Sequence, residues 1–429
     1  MSTAKAIALR KPWIPCFVIF LLALGVREVR LARSPDCMWP NVDRIEVSRI
    51  AESIAWQGKF ADPYMIPTGP TAHNAPIYPF LLSLVYGLPA PDRVTARLEI
   101  NILFGSLLCA LIYAAGLALG LGAVVSGAAA ILIAVHPPSF YVELCNDSDA
   151  TLAGLLAAIS ITASAAWLRG LVSGKIWLGL LWGFCLLSSP ALLPIFCGFL
   201  ALCLVDMQRR RALLTVMLFA LLVLTPWTLR NRLVLGHWVL VRDNLGLELR
   251  VSNADNAYAD STQNLMYGAM QTFHPLFNEG VAQRVRTEGE IAVYSKFQRD
   301  AIAWMRARPA RFWALTRERI RSFWLYNGSA GAVLLWNVIM VTAAIGLILL
   351  WRAQSNSGWL MAFLLGLYPV LFYLIQSYER YRYPVQWAIV LLAVFAIRKA
   401  VRTVTRAAGR RPELNDVLYQ FRKRRITRT

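Results

Sequence analysis

Asp43 and Glu46 lie three residues apart in NVDRIEVSRIAESIAWQG, a spacing that puts both carboxyls on one face of a helix. Facing water, one carboxylate could take a proton from an acceptor hydroxyl while the other orients a substrate or holds a metal. Both also fit a structural role, since acids are favoured in a first helical turn and Glu46 can pair with Arg49. A second acidic group, Glu143, Asp147 and Asp149, surrounds the start of a later apolar run. Carboxylates at a membrane mouth are costly enough to mark function, although Asp147 and Asp149 equally suit a helix N-terminus. Further on, SYERYRYP sets Arg380 and Arg382 just outside another apolar run. The guanidinium fork matches phosphate oxygens, so this pair suits a lipid-linked phosphate; the alternative is an interface anchor of Tyr and Arg. His73 in PTAHNAP and His237 in LGHW stand alone and fit structural roles better than ligation. Nothing resembles HExxH, a Ser-His-Asp order or a nucleophile elbow, so hydrolase chemistry has no support.

The elements that must position these groups belong to a membrane. Of 429 residues, 57% are hydrophobic, more than a soluble chain of this length carries. Apolar runs cover roughly 12–26, 98–119, 122–137, 149–168, 176–188, 190–205, 212–227, 331–351, 358–376 and 384–398, and several approach the ~20 residues of a spanning helix. The expectation is an all-α integral membrane protein of about ten transmembrane helices, with Ser188-Ser189-Pro190 splitting one long run into two. The run from Trp13 has no small-x-small cleavage pattern and reads as a retained first helix.

Positive charge orients the chain. With the N-terminus in the cytoplasm, ten crossings place Arg169–Lys175, Arg209-Arg210-Arg211 and the basic stretch 399–429 inside, as the positive-inside rule requires. The net charge of +20 then reports topology and contact with anionic lipids, not nucleic acid. The division expected is a membrane domain over 1–227 with an exoplasmic loop at 27–97, an exoplasmic segment at 228–330, membrane helices at 331–398 and a cytoplasmic tail at 399–429.

Within the first loop, apolar residues at Val42, Ile45, Ile50, Ile54 and Ala55 predict an amphipathic helix capped by Asn41 and ended by Gly58. The five prolines from Pro63 to Pro79 predict ordered loop after it. In the 228–330 segment, His237 to Ser252 alternates around Asn244-Leu245-Gly246 and predicts a hairpin. Glu279 to Tyr326 is helical in period, interrupted at Pro309, with Trp313 and Trp324 among arginines that suit the headgroup layer.

Taken in order, these pieces resemble a known family: Asp43-x3-Val47-x3-Ala51 followed by QGKF; PTAHNAPIYPFLL; Pro137 and then Asp149 opening a later span; TPWTLRNRLVLGHWVLVRDNLGLEL; and ERYRYP before the last span. The chain is similar to bacterial membrane glycosyltransferases of the GT-C superfamily, among them dolichyl-phosphate-mannose–protein mannosyltransferase-like enzymes and the aminoarabinose transferases of lipid A. The resemblance implies inverting transfer of a sugar from a polyprenyl-phosphate donor to an exoplasmic acceptor (glycolipid, polysaccharide or protein), at the inner or plasma membrane. It puts the first-loop acid, as base or metal-site ligand, on Asp43 and the second on Asp149 or Asp147. Arg380, Arg382 and Arg230 would supply charge for the leaving phosphate, Glu46 and His73 would join the substrate-binding set, and a divalent cation (Mg or Mn) on Asp43 and Asp149 is optional. The chain departs from the aminoarabinose branch in lacking a lysine before Pro76, and Val47 stands where an aromatic is frequent. The rival functions are a transporter or flippase of lipid-linked saccharides and a non-catalytic scaffold of envelope assembly. A transporter should show paired halves and broken midplane helices, whereas the charges here gather at one face.

Overall fold

The computed structural model describes residues 12–33, 45–145, 149–326 and 328–408. Asp43 and Asp147 lie outside these residues, as does Asn41. Helix α1 (Trp13–Arg33) precedes two short helices of the first loop, α2 (Glu46–Gln57) and α3 (Ile77–Ser83). The body follows as α4 (Ala90–Ala118), α5 (Ala123–Ala134), α6 (Pro137–Cys145), α7 (Ala150–Leu168), α8 (Lys175–Ser188), α9 (Leu193–Val205) and α10 (Arg210–Leu235). An inserted segment holds α11 (Leu245–Ser252), α12 (Ser261–Tyr267), α13 (Ala269–Phe273), α14 (Glu279–Glu288), α15 (Glu290–Ala307) and α16 (Pro309–Trp324). The chain then returns to the body as α17 (Ala330–Ala353), α18 (Ser355–Leu367), α19 (Val370–Leu374) and α20 (Tyr383–Ala408). Among the described residues there is no strand, only two isolated bridges, Ala61 with Pro70 and Asp260 with Ser377.

Five stretches are long and apolar enough to cross a membrane: most of α4, then α7, α10, α17, and α18 continued into α19. Helices α5 and α6, bent by 55° where Pro137 opens α6, make a sixth if counted as one. The break at Ser189-Pro190 is present and leaves α8 and α9 as two shorter apolar helices. Small residues let the helices approach closely. A Cβ at Gly179 or Gly183 would come within 2.6 Å of the Val216 or Ala220 carbonyl, so α8 lies directly against the backbone of α10.

The two ends of the bundle differ in charge. At one end, Arg169 donates to the Leu117 and Ala118 carbonyls (2.9 and 2.7 Å) and Arg209 to the Leu168 carbonyl (2.6 Å). Arg210, Arg211 and Arg352 gather there too. At the other end the first loop and the inserted segment pack on each other: Asp243 N–H donates to the Ala72 carbonyl (3.1 Å), and Ser261 and Ser377 N–H groups bond across to Ser377 and Ala259 (3.1 and 2.7 Å).

Helix α2 ends as its sequence demands, on Gly58 at φ 66°, whose N–H caps Ile54 and Ser53. It begins later than the apolar spacing suggests, with Ile45 in the capping position and Glu46 in the first turn. The hairpin expected over His237 to Ser252 does not form. Residues 237–244 run as an irregular strap and Asn244 opens α11 instead. The reason is tertiary: Leu247 and Val251 bury one helical face against Val293, Tyr294 and Phe297 of α15, a core that no two-stranded ribbon at this place would fill. Gly246 fits because its Cα lies against the Tyr294 carbonyl, 2.1 Å from where a Cβ would stand.

Glu143 serves the fold. Its carboxylate takes Arg27 Nε and Nη2 (2.7 and 2.9 Å) and the Tyr383 hydroxyl (2.7 Å), and both ions are fully buried. This triad fastens α1, α6 and α20 together. Gly105 of α4 makes room for it, because a Cβ there would meet Glu143 at 2.5 Å.

Candidate active site

A cavity of about 290 Å³ opens at the end covered by the first loop and the inserted segment, among the N-terminus of α7, the α8–α9 apex, the start of α11 and the 368–384 segment. Asp149, Arg242, Glu248, Arg380, Tyr368 and Tyr381 form its polar lining. Leu371, Phe372 and Ile375 line it with apolar surface. Asp149 occupies the capping position of α7, yet its side chain caps nothing; only its carbonyl bonds into the helix, taking Ala153 N–H at 2.8 Å. The carboxylate is therefore left to the cavity and does not serve the helix end. Arg380 is presented by the single 3-10 turn Glu379–Tyr381, its guanidinium 4.3 Å from the Tyr378 ring and 5.6 Å from that of Tyr381. Burial opposes its charge, but Tyr381, Tyr378 and Asp149 together hold its pKa above the usual arginine value.

Arg242 closes the strap before α11, with Nε donating to Asn244 Oδ1 at 2.8 Å. Glu248, one turn into α11, has its Oε2 buried without a hydrogen-bond partner among the described residues. Burial pushes its carboxyl above the usual range, and His274, Arg242 and Arg380 draw it back only in part. Two cations and two carboxyls thus share one enclosed space, an arrangement that can hold an anion while managing a proton.

Behind Glu248 lies a layer of polar side chains. Glu46 meets His274 Nε2 at 3.3 Å. His73, buried, bonds the Tyr64 hydroxyl (3.0 Å), which in turn bonds the Tyr294 hydroxyl. Burial, then Arg242 and His274, hold His73 below the usual imidazole range, so it stays neutral. A further layer pins the first loop. Glu290 accepts from Ala72 N–H (2.7 Å) and the Thr71 hydroxyl, and faces Asp243 across the strap. Burial first raises both carboxyls; the Asp243 charge raises Glu290 further, whereas the hydrogen bond with Glu290 and the charge of Arg242 draw Asp243 back to about 6.

A raised carboxyl pKa stabilises the fold below the unfolded value near 4 and loses that contribution as pH climbs through the folded value. Glu290→Gln removes the charge, with its one amide oxygen accepting from Ala72 N–H and its NH2 donating to the Thr71 hydroxyl, which turns to accept. It is expected to raise the thermal midpoint at pH 8 by roughly 1 °C, for about 1 kcal/mol, and to leave the midpoint at pH 5 nearly unchanged. An equal shift at both pH values would show that the pair does not share a proton.

Of the residues singled out in the sequence, Asp149 and Arg380 meet in the cavity. Glu46 and His73 sit in the layer behind it. Arg230 faces the first loop instead, donating to the Thr71 and Phe60 carbonyls (2.7 and 2.8 Å) and stacking on Trp227 at 4.9 Å. Arg382 is turned away and buried, bonding the Phe323 and Leu325 carbonyls at the C-terminus of α16 (3.2 and 3.3 Å). Arg242 and Glu248 are additions that sequence spacing did not single out. Both stand in VRDNLGLEL, where a hairpin would have sent neighbouring side chains to opposite faces. No three His, Cys, Asp or Glu side chains among the described residues are placed to hold a metal ion, so no step below runs through one.

No protein-family model matches the chain, and no curated protein matches it. Solved structures do. The chain is similar to the oligosaccharyltransferase of Archaeoglobus fulgidus in its apo form, at 12% identity and a TM-score of 0.55, over 95% of this chain and 53% of that one. It is also similar to the archaeal oligosaccharyltransferase AglB from Archaeoglobus fulgidus in complex with an inhibitory peptide and a dolichol-phosphate, at 13% identity and a TM-score of 0.54, over 98% and 54% of the two chains. The likeness is one of fold: the helical membrane architecture resembles that of these archaeal oligosaccharyltransferases. The chain spans about half the length of these archaeal proteins.

Proposed function

We propose that this protein is an inverting glycosyltransferase of the inner or plasma membrane, taking a sugar from a polyprenyl-phosphate donor to an acceptor on the exoplasmic side. The observation that carries it is the convergence of Arg242 and Arg380 with Asp149 and Glu248 in one cavity, at the end of a GT-C-type fold that the first loop and the inserted segment cover. The dolichol-phosphate held by the archaeal structure supports a lipid-phosphate donor. In this reading α1, α5–α6, α8, α9 and α20 cross together with the five longer helices, ten crossings in all, and the positive-inside rule then sets both termini in the cytoplasm and this cavity outside.

In this proposal the donor phosphate lies between Arg380 and Arg242, and its prenyl chain leaves over Leu371, Phe372 and Ile375 toward lipid. The acceptor oxygen attacks the anomeric carbon opposite the phosphate. Its proton passes to a carboxylate, the new C–O bond forms, and the old C–O bond breaks with its electron pair going to the phosphate. The two guanidinium groups stabilise the charge gathering there. Asp43 is the base on its place in the sequence pattern; Asp149, beside Arg380, orients that cation. Gathered charge at one end favours this over a flippase.

The test is release of polyprenyl phosphate from radiolabelled polyprenyl-phosphate sugars by purified protein supplied with a membrane extract. Wild type should release it, and Asp43→Asn and Asp149→Asn should each lose roughly 10²-fold or more. Release that ignores both substitutions would remove these acids from the chemistry. No release with any donor, alongside lipid translocation in vesicles, would favour the transporter.

A further inference from the structure

The acceptor's nature is open in the function just proposed, and a second cavity bears on it. This space, about 370 Å³, lies on the other side of the strap 237–244. His237, Asp243, Ser295 and Gln298 give it a polar lining, and Trp238 and Leu240 stand at its edge, 70% and 48% exposed. Its size falls in the roughly 300–1,000 Å³ range of small-molecule sites. Imidazole, hydroxyl and amide groups both donate and accept, which suits a ligand rich in hydroxyls more than a single anion.

Two features connect this space to its surroundings. The first is the wall it shares with the candidate active site. Arg242 lines both cavities; Asn244, Leu245 and Glu248 face the first, Asp243 and Gly246 the second. A hydroxyl held in the second cavity is thus separated from the donor site by one stretch of backbone. The second is the membrane. The cavity begins at His237, directly after α10 ends on Gly236 at φ 74°. Helix α10 is the least buried of the candidate spans, and Leu233, one turn before Trp238, is 83% exposed. The Arg232 guanidinium lies 5.9 Å from the Trp238 ring, a pairing suited to the headgroup layer. The polar cavity thus has one rim, Trp238 and Leu240, beside the exposed end of α10, and another, Gln298, on the exposed side of α15.

We infer that the second cavity binds the sugar headgroup of a membrane glycolipid, the acceptor, which enters laterally with its chains along the exposed outer part of α10. This rests on the transferase reading for its consequence, but the binding itself does not. A soluble peptide or polysaccharide could enter past the exposed Gln298, but it would have no use for the apolar edge of Trp238 and Leu240.

The experiment uses the full chain in lipid nanodiscs with a photoreactive glycolipid carrying a diazirine beside its disaccharide headgroup, followed by peptide mapping. Label is expected in 237–246 and 291–298, competed by the unmodified glycolipid but not by the same lipid without its sugar. Gln298→Leu and Trp238→Ala should each cut it roughly tenfold, the worth of about one hydrogen bond or ring contact. Thermal midpoint and monodispersity report whether each variant folds; where one does not, the competition in wild type decides. Label elsewhere, equal competition by the sugar-free lipid, or label unchanged in both folded variants would overturn the inference. Specific label with no donor turnover would sustain the site and defeat the transferase. Turnover with a soluble peptide acceptor and no label would do the reverse.

Discussion

Replacing Arg380 by Ala should slow release of polyprenyl phosphate by roughly 10²–10³-fold, the cost of losing one preorganised group from a developing charge. Arg380 is held for this by two aromatic rings and by Asp149, so its charge is fixed before a donor arrives. Arg380→Lys restores charge without the fork and should recover only part of the rate. The neighbouring Arg382 makes the control. It bonds backbone carbonyls at the end of α16 and lies outside the cavity, so Arg382→Ala should lower the thermal midpoint, with turnover per folded molecule far less affected. If Arg382→Ala abolished turnover in folded protein while Arg380→Ala did not, the phosphate would have to bind elsewhere.

Glu143→Ala should destabilise the protein by about 3–5 kcal/mol, because it strands Arg27 in a place without water. In a chain of this size that lowers the thermal midpoint by roughly 3–6 °C. The double variant Arg27→Met, Glu143→Leu removes both charges together and should regain most of the loss, since apolar groups of similar volume replace buried pairs at little cost. A Glu143→Ala protein as stable as wild type yet without turnover would return Glu143 to the catalytic candidates. The sequence makes it one of three acids at a membrane mouth, and only packing separates it from Asp149.

That separation shows what was legible and what was not. Gly58 ended α2 and Ser189-Pro190 broke a long apolar run, because local backbone chemistry decides both. The apolar runs pointed to a helical membrane architecture, and the solved structures share it. Asp149 and Arg380, far apart in sequence, could be named separately, but their meeting depends on how the 368–384 segment packs against α7. Arg230 and Arg382 carry the same side chain as Arg380 and do different work, since only the fold decides which guanidinium faces backbone carbonyls. Arg242 and Glu248 stay hidden because the alternation over 237–252 reads as a hairpin, whereas the core against α15 makes its second half helical and brings Glu248 to the cavity. Asp43 and Asp147 lie outside the described residues.

The short pair α8 and α9 has a consequence for the lipid around it. Helices of 14 and 13 residues rise only about 20 Å each, well under the roughly 30 Å of a hydrocarbon core. Their apex, Ser189-Pro190-Ala191, lines the cavity floor. With the cavity on the exoplasmic side, as proposed, the outer leaflet has to sag beside it to meet the protein, and hydrophobic mismatch of this kind costs a fraction of a kcal/mol per Å. In that dimple a lipid phosphate can sink to the depth of Arg380 without leaving the headgroup plane. Bilayer thickness becomes a control on how readily the donor reaches its cation.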